Sequence, residues 1–196
     1  MPELTKESLK EFTGKAYSRF DGDAAPLVKI DDGLYILELW HGPTHAFKDI
    51  ALTLLPHLLV GSKKYLGKDE NTIILVAASG DTGKAALEGF KDVDKTDVMV
   101  FYPQDGVSQM QKLQMTTTTG GNVKVFGING NFDDAQTAVK KIFTDKETAD
   151  IIAKYGYNFS SANSINWGRL VPQIAYYFSS YCDMLSGGQI SLGDKV

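Results

Sequence analysis

One lysine, Lys48, lies in the stretch HGPTHAFKD (41–49), where a Gly-Pro loop gives way to an apolar helical run. The partial positive charge of a helix N-terminus favours the neutral form of a nearby amine, and burial does the same. The neutral amine is the form that reacts with carbonyl groups to give Schiff bases. The local pattern by itself is more typical of a lysine whose stem follows the helix while its ammonium group reaches water. Lys48 is therefore a candidate nucleophile with an ordinary alternative.

A second candidate is the turn ASGDTG (78–83), which follows an apolar run and leads into a helical pattern. Turns of this kind leave backbone N–H groups free to bind a carboxylate or phosphate, and Ser79 and Thr82 add hydroxyl donors. Lys84 comes next, but the spacing does not match a nucleotide-binding P-loop. A tight turn with no ligand is the alternative. In an open α/β sheet, however, this position predicts a ligand crevice.

A third candidate is the polar stretch SSANSINWGR (160–169), which precedes a long helical pattern. Asn163, Ser164 and Asn166 are neutral hydrogen-bonding groups, and Arg169 adds a guanidinium that can bind a phosphate or carboxylate through two parallel bonds. The same residues suit a helix cap, with Asn163 or Ser164 at the N-cap and Arg169 in solvent. The sequence favours neither anion binding nor helix capping for this stretch.

The elements that must position these groups alternate between strand and helix. Apolar runs predict buried strands, and 3.6-residue periodicity predicts the helices between them. At least three strand–loop–helix alternations indicate an α/β fold with a parallel sheet. Pro56 should kink or divide the long helix over 46–66. The predicted strands are 34–39, 72–78, 97–103, 122–128 and 157–161, and the predicted helices are 4–20, 46–66, 84–90, 108–115, 132–143 and 165–185.

Composition excludes several classes of function. The 196 residues carry a net charge of −4 without a basic stripe, which argues against nucleic acid as a partner. The apolar runs are too short to cross a membrane. Cys182 is the single cysteine, which fits a reducing, cytoplasmic location. Gly42 and Pro43 separate His41 from His45, so we predict no metal site.

Taken together, these segments resemble threonine synthase, a pyridoxal-phosphate enzyme of fold type II. The resemblance runs from about Lys10 onward and implies a three-layer, parallel-sheet α/β fold. It implies a small α/β subdomain at about residues 70–160, with the flanking residues in the large subdomain. His45, where an aliphatic residue is expected, and Pro56 depart from the family's pattern. The similar blocks are ELWHGPTHAFKD, SGDTGKAALEGF, VSQMQKLQMTT, GNFDDAQ and SANSINWGR.

The resemblance assigns a role to each candidate residue. Pyridoxal 5'-phosphate is the implied cofactor, Lys48 its Schiff-base lysine, and Asp81 the carboxylate near its phenolic oxygen. The substrate carboxylate would be bound by Ser79, Gly80, Thr82 and Gly83. The substrate phosphate would be bound by Asn163, Ser164, Asn166 and Arg169.

The implied reaction converts O-phospho-L-homoserine and water into L-threonine and phosphate. A related phospho-lyase that releases 2-oxobutyrate would need the same residues, and a non-catalytic α/β fragment is a further alternative. We expect the family's N-terminal segment and the loop that binds the cofactor phosphate to lie outside residues 1–196, so that the fold is incomplete. The oligomeric state is not predicted.

Overall fold

The computed structural model describes residues 5–78 and 80–196. Its helices are α1 (Lys6–Tyr17), α2 (Asp49–Leu52), α3 (Leu55–Tyr65), α4 (Asp81–Phe90), α5 (Gln109–Thr116), α6 (Phe132–Thr144), α7 (Lys146–Lys154) and α8 (Trp167–Ser186). Its strands are β1 (Leu27–Asp31), β2 (Leu34–Leu37), β3 (Asn71–Ala77), β4 (Thr96–Pro103), β5 (Val123–Ile128) and β6 (Tyr157–Ser161).

Four parallel strands form the central sheet in the order β5-β4-β3-β6. β3 is an inner strand, and Ile74, Leu75, Val76 and Ala77 are buried because both faces of the sheet are covered. α4 and α5 pack against one face, and α6 packs against the other. The parallel α/β architecture predicted from the apolar runs is thus confirmed. The proposed subdomain boundary at about residues 70–160 stays a prediction, although these four strands all fall near that range.

The helix predicted over 46–66 is divided, as the position of Pro56 indicated. α2 ends before Thr53, whose hydroxyl donates to the carbonyl oxygen of Asp49 at 2.7 Å. Pro56 lies in the first turn of α3, where its missing N–H removes no helical hydrogen bond. The antiparallel hairpin is only half predicted, because β1 (LVKID) has too few apolar residues to signal a strand. α7 was not predicted either.

None of the helices in the described ranges combines the length and the apolar composition needed to cross a membrane.

Gly89 lies where α4 approaches the end of α2 closely. A Cβ atom at this position would fall on the carbonyl oxygen of Leu52, a backbone atom that cannot turn away. We expect Gly89→Ala to lower the free energy of unfolding by about 1–3 kcal/mol, the usual cost of overpacking. Gly14→Ala is the matched control in exposed α1, since nothing lies within 4 Å of its Cβ position. It should stabilise by about 0.5–1 kcal/mol, and urea denaturation measures both.

His57 on α3 faces α1 across a cavity that Glu11 and Lys15 also line. Burial, with Lys15 and Arg19 nearby, holds the pKa of His57 below its ordinary value. The unfolded chain therefore binds a proton at His57 more readily than the folded chain, so stability falls as the pH drops through about 6.5. We expect His57→Gln to lack this fall in stability between neutral and acidic pH. Unfolding free energies of both proteins from about pH 5 to 8 test it, and parallel profiles would contradict it.

Candidate active site

The loop before Lys48 is fixed by the buried carboxylate of Asp49. This side chain is 1% exposed and accepts hydrogen bonds from the backbone N–H of Thr44 at 2.7 Å and from its hydroxyl at 2.5 Å. Gly42 makes room for it, because a Cβ there would lie 2.5 Å from the Cβ of Asp49. His45 has a positive φ of 57°, a conformation that histidine adopts more readily than a branched aliphatic residue. That conformation gives a physical reason for the departure from the family pattern at this position.

Lys48 immediately precedes α2, and its side chain is only 15% exposed. Its Nζ lies 3.5 Å from Oδ2 of Asp81 and 4.5 Å from the ring centroid of Phe47. The Asp81 contact is at the outer limit of a hydrogen bond, so it orients the amine mainly through charge. The stem of Lys48 is therefore largely covered, and both interpretations of this lysine, the nucleophile and the amine that reaches water, stay predictions.

Asp81 is the first residue of α4 and is half exposed. Its second oxygen, Oδ1, lies 3.4 Å from Nε2 of Gln111, the residue that also completes the N-terminal capping box of α5. Gly80 occupies the N-cap of α4 with φ 155°, and a Cβ there would lie 2.5 Å from the Gln111 amide. Among the residues that the structure describes, no side chain caps this helix end, which leaves it suited to an anionic group. Ser79 lies outside the described residues.

Gly83 serves the packing of α4. A Cβ at this position would come within 2.5 Å of Sδ of Met115 and 2.7 Å of Cβ of Ala78. The helix can therefore lie this close to α5 and to the end of β3 only with glycine here. Its predicted role toward the substrate carboxylate stays a prediction.

The two asparagines of the third candidate stretch are bonded to the protein backbone. Asn163 accepts from the N–H of Ala77 at 3.0 Å and donates to its carbonyl at 2.8 Å, which extends the pairing of β3 and β6 by one side chain. Asn166 is the N-cap of α8, accepts from the N–H of Gly168 at 2.9 Å and donates to the carbonyl of Ser161 at 2.7 Å. Both amides thus have structural partners, and Asn166 rather than Asn163 or Ser164 caps the helix.

Arg169, in the first turn of α8, is only 7% exposed, and burial lowers the pKa of its guanidinium from the ordinary value. Arginine nonetheless stays charged in proteins. Among the described residues its buried Nε has no hydrogen-bond partner. A buried cation without a carboxylate is costly, so the site is suited to receive an anion.

A cavity of about 530 Å³ joins several of these groups at the carboxyl end of β3. Thr82, Asn163, Ser164 and Arg169 line it, whereas Lys48, Asp81 and Asn166 do not. Thr82 lines the cavity and directly follows Asp81, the residue that contacts Lys48. The cavity and the Lys48 contact are therefore adjacent at the start of α4. The described lining residues include two cationic side chains, those of Arg169 and Lys140, and no carboxylate.

Sequence reasoning missed the contributions of α5 and α6. Gln111 contacts Asp81, and one face of α6 forms a wall of the cavity. The periodicity of α6 does carry a signal, since its lining residues recur every three or four positions. They are Phe132, Gln136, Val139, Lys140 and Phe143.

Known proteins are similar to nearly all of this chain. It is 44% identical to "Threonine synthase-like 1" of Homo sapiens over 178 residues, which is 88% of the chain and 24% of that protein. It is 42% identical to threonine synthase of Pseudomonas aeruginosa over 176 residues, or 89% of the chain and 36% of that enzyme. The crystal structure of PLP-bound threonine synthase from Brucella melitensis matches with a TM-score of 0.81 and 40% identity, over 93% of this chain and 38% of that one. No protein-family model matches the chain.

The parallel sheet, its covering helices and these matches define an α/β fold of the type II class of pyridoxal-phosphate enzymes. The chain is a homologue of the threonine synthases, as its motifs indicated. It spans about a quarter to two fifths of the length of these three proteins, from 24% to 38%.

The double hydrogen bond of Asn163 can be tested by its effect on stability. Asn163→Leu leaves the buried N–H and carbonyl of Ala77 without partners, so we expect the free energy of unfolding to fall by about 2–4 kcal/mol. Ser164→Ala, next to it on the same cavity wall but exposed, should change stability by less than about 0.5 kcal/mol. Urea denaturation compares the two, and similar small effects would show that the Asn163 bonds contribute little.

Proposed function

We propose that this chain carries the lysine, substrate-carboxylate and substrate-phosphate regions of a threonine synthase, which converts O-phospho-L-homoserine and water into L-threonine and phosphate. The observation that carries the proposal is the connection at the start of α4. Asp81 lies 3.5 Å from the Lys48 amine, and the next residue, Thr82, lines the cationic cavity. A pyridoxal-phosphate enzyme that acts on a phosphorylated amino acid needs a Schiff-base lysine and a nearby anion site. Homology to threonine synthases supports the assignment.

The residues present fit pyridoxal phosphate, because Lys48 is largely shielded from water and has only a weak carboxylate partner. Lys48 would anchor the cofactor covalently, and Asp81 would share a proton with its phenolic oxygen. When bound, the cofactor supplies an electron sink for charge that develops beside the substrate amino group. Lys48 would move protons at Cα and Cβ of the substrate as general base and acid.

The substrate would be held at both ends. The N-terminus of α4, with Gly80, Thr82, Gly83 and also Ser79, would bind its carboxylate through backbone and hydroxyl donors. Arg169 would bind its phosphate group through its guanidinium fork. Ser164, which is exposed on the cavity wall, would contact the phosphate directly. Asn163 and Asn166, whose amides bind backbone groups, would act by holding the loop around it.

Two further predictions rest on sequence features. A cytoplasmic location follows from the single cysteine, Cys182. The small-molecule substrate is the one partner we propose.

Trapping the cofactor on the chain tests the role of Lys48. Purified protein is mixed with pyridoxal phosphate, its visible absorption recorded, and the adduct reduced with borohydride and located by peptide mass spectrometry. We expect a visible band and a reduced adduct on Lys48, both absent in Lys48→Ala and unchanged in Lys154→Ala, an exposed lysine at the end of α7. Equal labelling of several lysines, or a band that survives in Lys48→Ala, would contradict this role.

The reaction itself is distinguished by its products. Incubation with O-phospho-L-homoserine and pyridoxal phosphate should release phosphate together with L-threonine. Release of phosphate with 2-oxobutyrate would identify the phospho-lyase alternative instead.

A further inference from the structure

Lys140, on α6, lines the cavity that contains Arg169 but belongs to none of the sequence motifs discussed above. We infer that Lys140 is the second cation of this cavity and gives it a preference for a doubly charged anion. The inference rests on the proposed function, since it concerns the group that would receive the substrate phosphate. It adds a specificity-determining residue on α6, whereas the other candidate residues of the cavity lie in or next to the loops that follow β3 and β6.

The position of Lys140 on α6 is set by helix packing. Val139, its neighbour, is 5% exposed and packs against the sheet, which places Lys140 at the side of the helix. Gln136, one turn earlier, also lines the cavity, and its Oε1 lies 3.3 Å from Nζ of Lys140. This contact bends the lysine head back along the helix toward the other lining residues. None of the ion pairs among the described residues involves Lys140.

The two cations have different surroundings and therefore different roles. Arg169 is buried and presents a fixed planar fork, which orients an oxyanion. Lys140 is exposed at the edge of the cavity, so it can approach or leave with the ligand. A phosphate monoester carries a charge of about −1.5 to −2 at neutral pH, whereas a carboxylate carries one. The guanidinium of Arg169 balances one negative charge of a bound phosphate. Lys140 would balance the second.

The charges of the lining residues also predict which substrate groups the cavity binds weakly. The described lining residues contain no carboxylate to repel a dianion, and apolar side chains such as Phe132 and Phe143 form the rest of the α6 wall. In such surroundings a neutral ester would leave both cations without a counter-charge. The cavity should thus bind a phosphoryl group better than an uncharged or singly charged group of the same size.

Anion binding to the complete 196-residue chain tests the inference. The probes are inorganic phosphate, a dianion at about pH 8, and perchlorate, a monoanion of the same tetrahedral shape, both titrated by calorimetry. Lys140→Met should weaken phosphate binding by about tenfold and change perchlorate binding by less than about twofold, because one of two charge contacts is lost. Lys140→Arg should restore phosphate binding, since it returns the charge.

Lys141→Met is the matched control. It removes the same charge from the adjacent position of α6, but Lys141 is exposed and lines none of the described cavities. Phosphate binding should be unchanged, whereas equal losses in the two variants would overturn the inference in favour of a general charge effect.

Arg169→Met separates this inference from the proposed function. If it abolishes phosphate binding while Lys140→Met does not weaken it, the role of Lys140 is wrong and the phosphate site stands. If phosphate binds no better to the parent chain than to Arg169→Met, both the role of Lys140 and the proposed phosphate site are wrong. Trapping of pyridoxal phosphate on Lys48 is measured independently and is not affected by either outcome.

Discussion

The buried carboxylate of Asp49 is the constraint on which the candidate site depends. It binds both the backbone N–H and the hydroxyl of Thr44, so the loop from Gly42 to Lys48 is closed on itself before α2 begins. A side chain with so little exposure cannot exchange these partners for water without exposing the loop. Because Lys48 directly precedes Asp49, the direction of its side chain is decided by this closure. Asp81 comes from a separate rigid unit, α4, which the sheet holds through β3.

Charge is divided between the two sides of the start of α4. On one side, Asp81 provides a negative charge for the Lys48 amine. On the other, Thr82 leads into a cavity whose charged lining residues are both cationic. Among the described residues the buried Nε of Arg169 has no hydrogen-bond partner. Such a defect reduces the stability of the folded chain, and native proteins accept such defects chiefly where they serve a function. The separation keeps the carboxylate of Asp81 from pairing with the cations of the cavity, although Asp81 and Thr82 are adjacent in the chain.

The sequence was informative where burial alone decides structure. The apolar run of β3 predicted a strand covered on both faces, and Pro56 predicted the division between α2 and α3. It could not decide whether Asn163 binds a ligand or the backbone, because its partner Ala77 lies 86 residues away and no local pattern reports that contact. The part played by α6 was missed for the same reason. Its periodicity shows which residues share a face, but only the tertiary fold shows that this face borders the end of β3.

The two aspartates near Lys48 differ in burial, and this difference suits Asp49 to a structural role and Asp81 to the proposed contact with a ligand. Asp49 is buried and makes short hydrogen bonds, so breaking them would leave an unpaired charge in the interior. Asp81 is half exposed, and its contacts with Lys48 and Gln111 are long, at 3.5 and 3.4 Å. A long contact with a half-exposed carboxylate contributes about 0–1 kcal/mol, which is small enough for a ligand to displace. The weakness of this contact is consistent with the role proposed for Lys48, because a ligand can displace a weak pair more readily than a tight one.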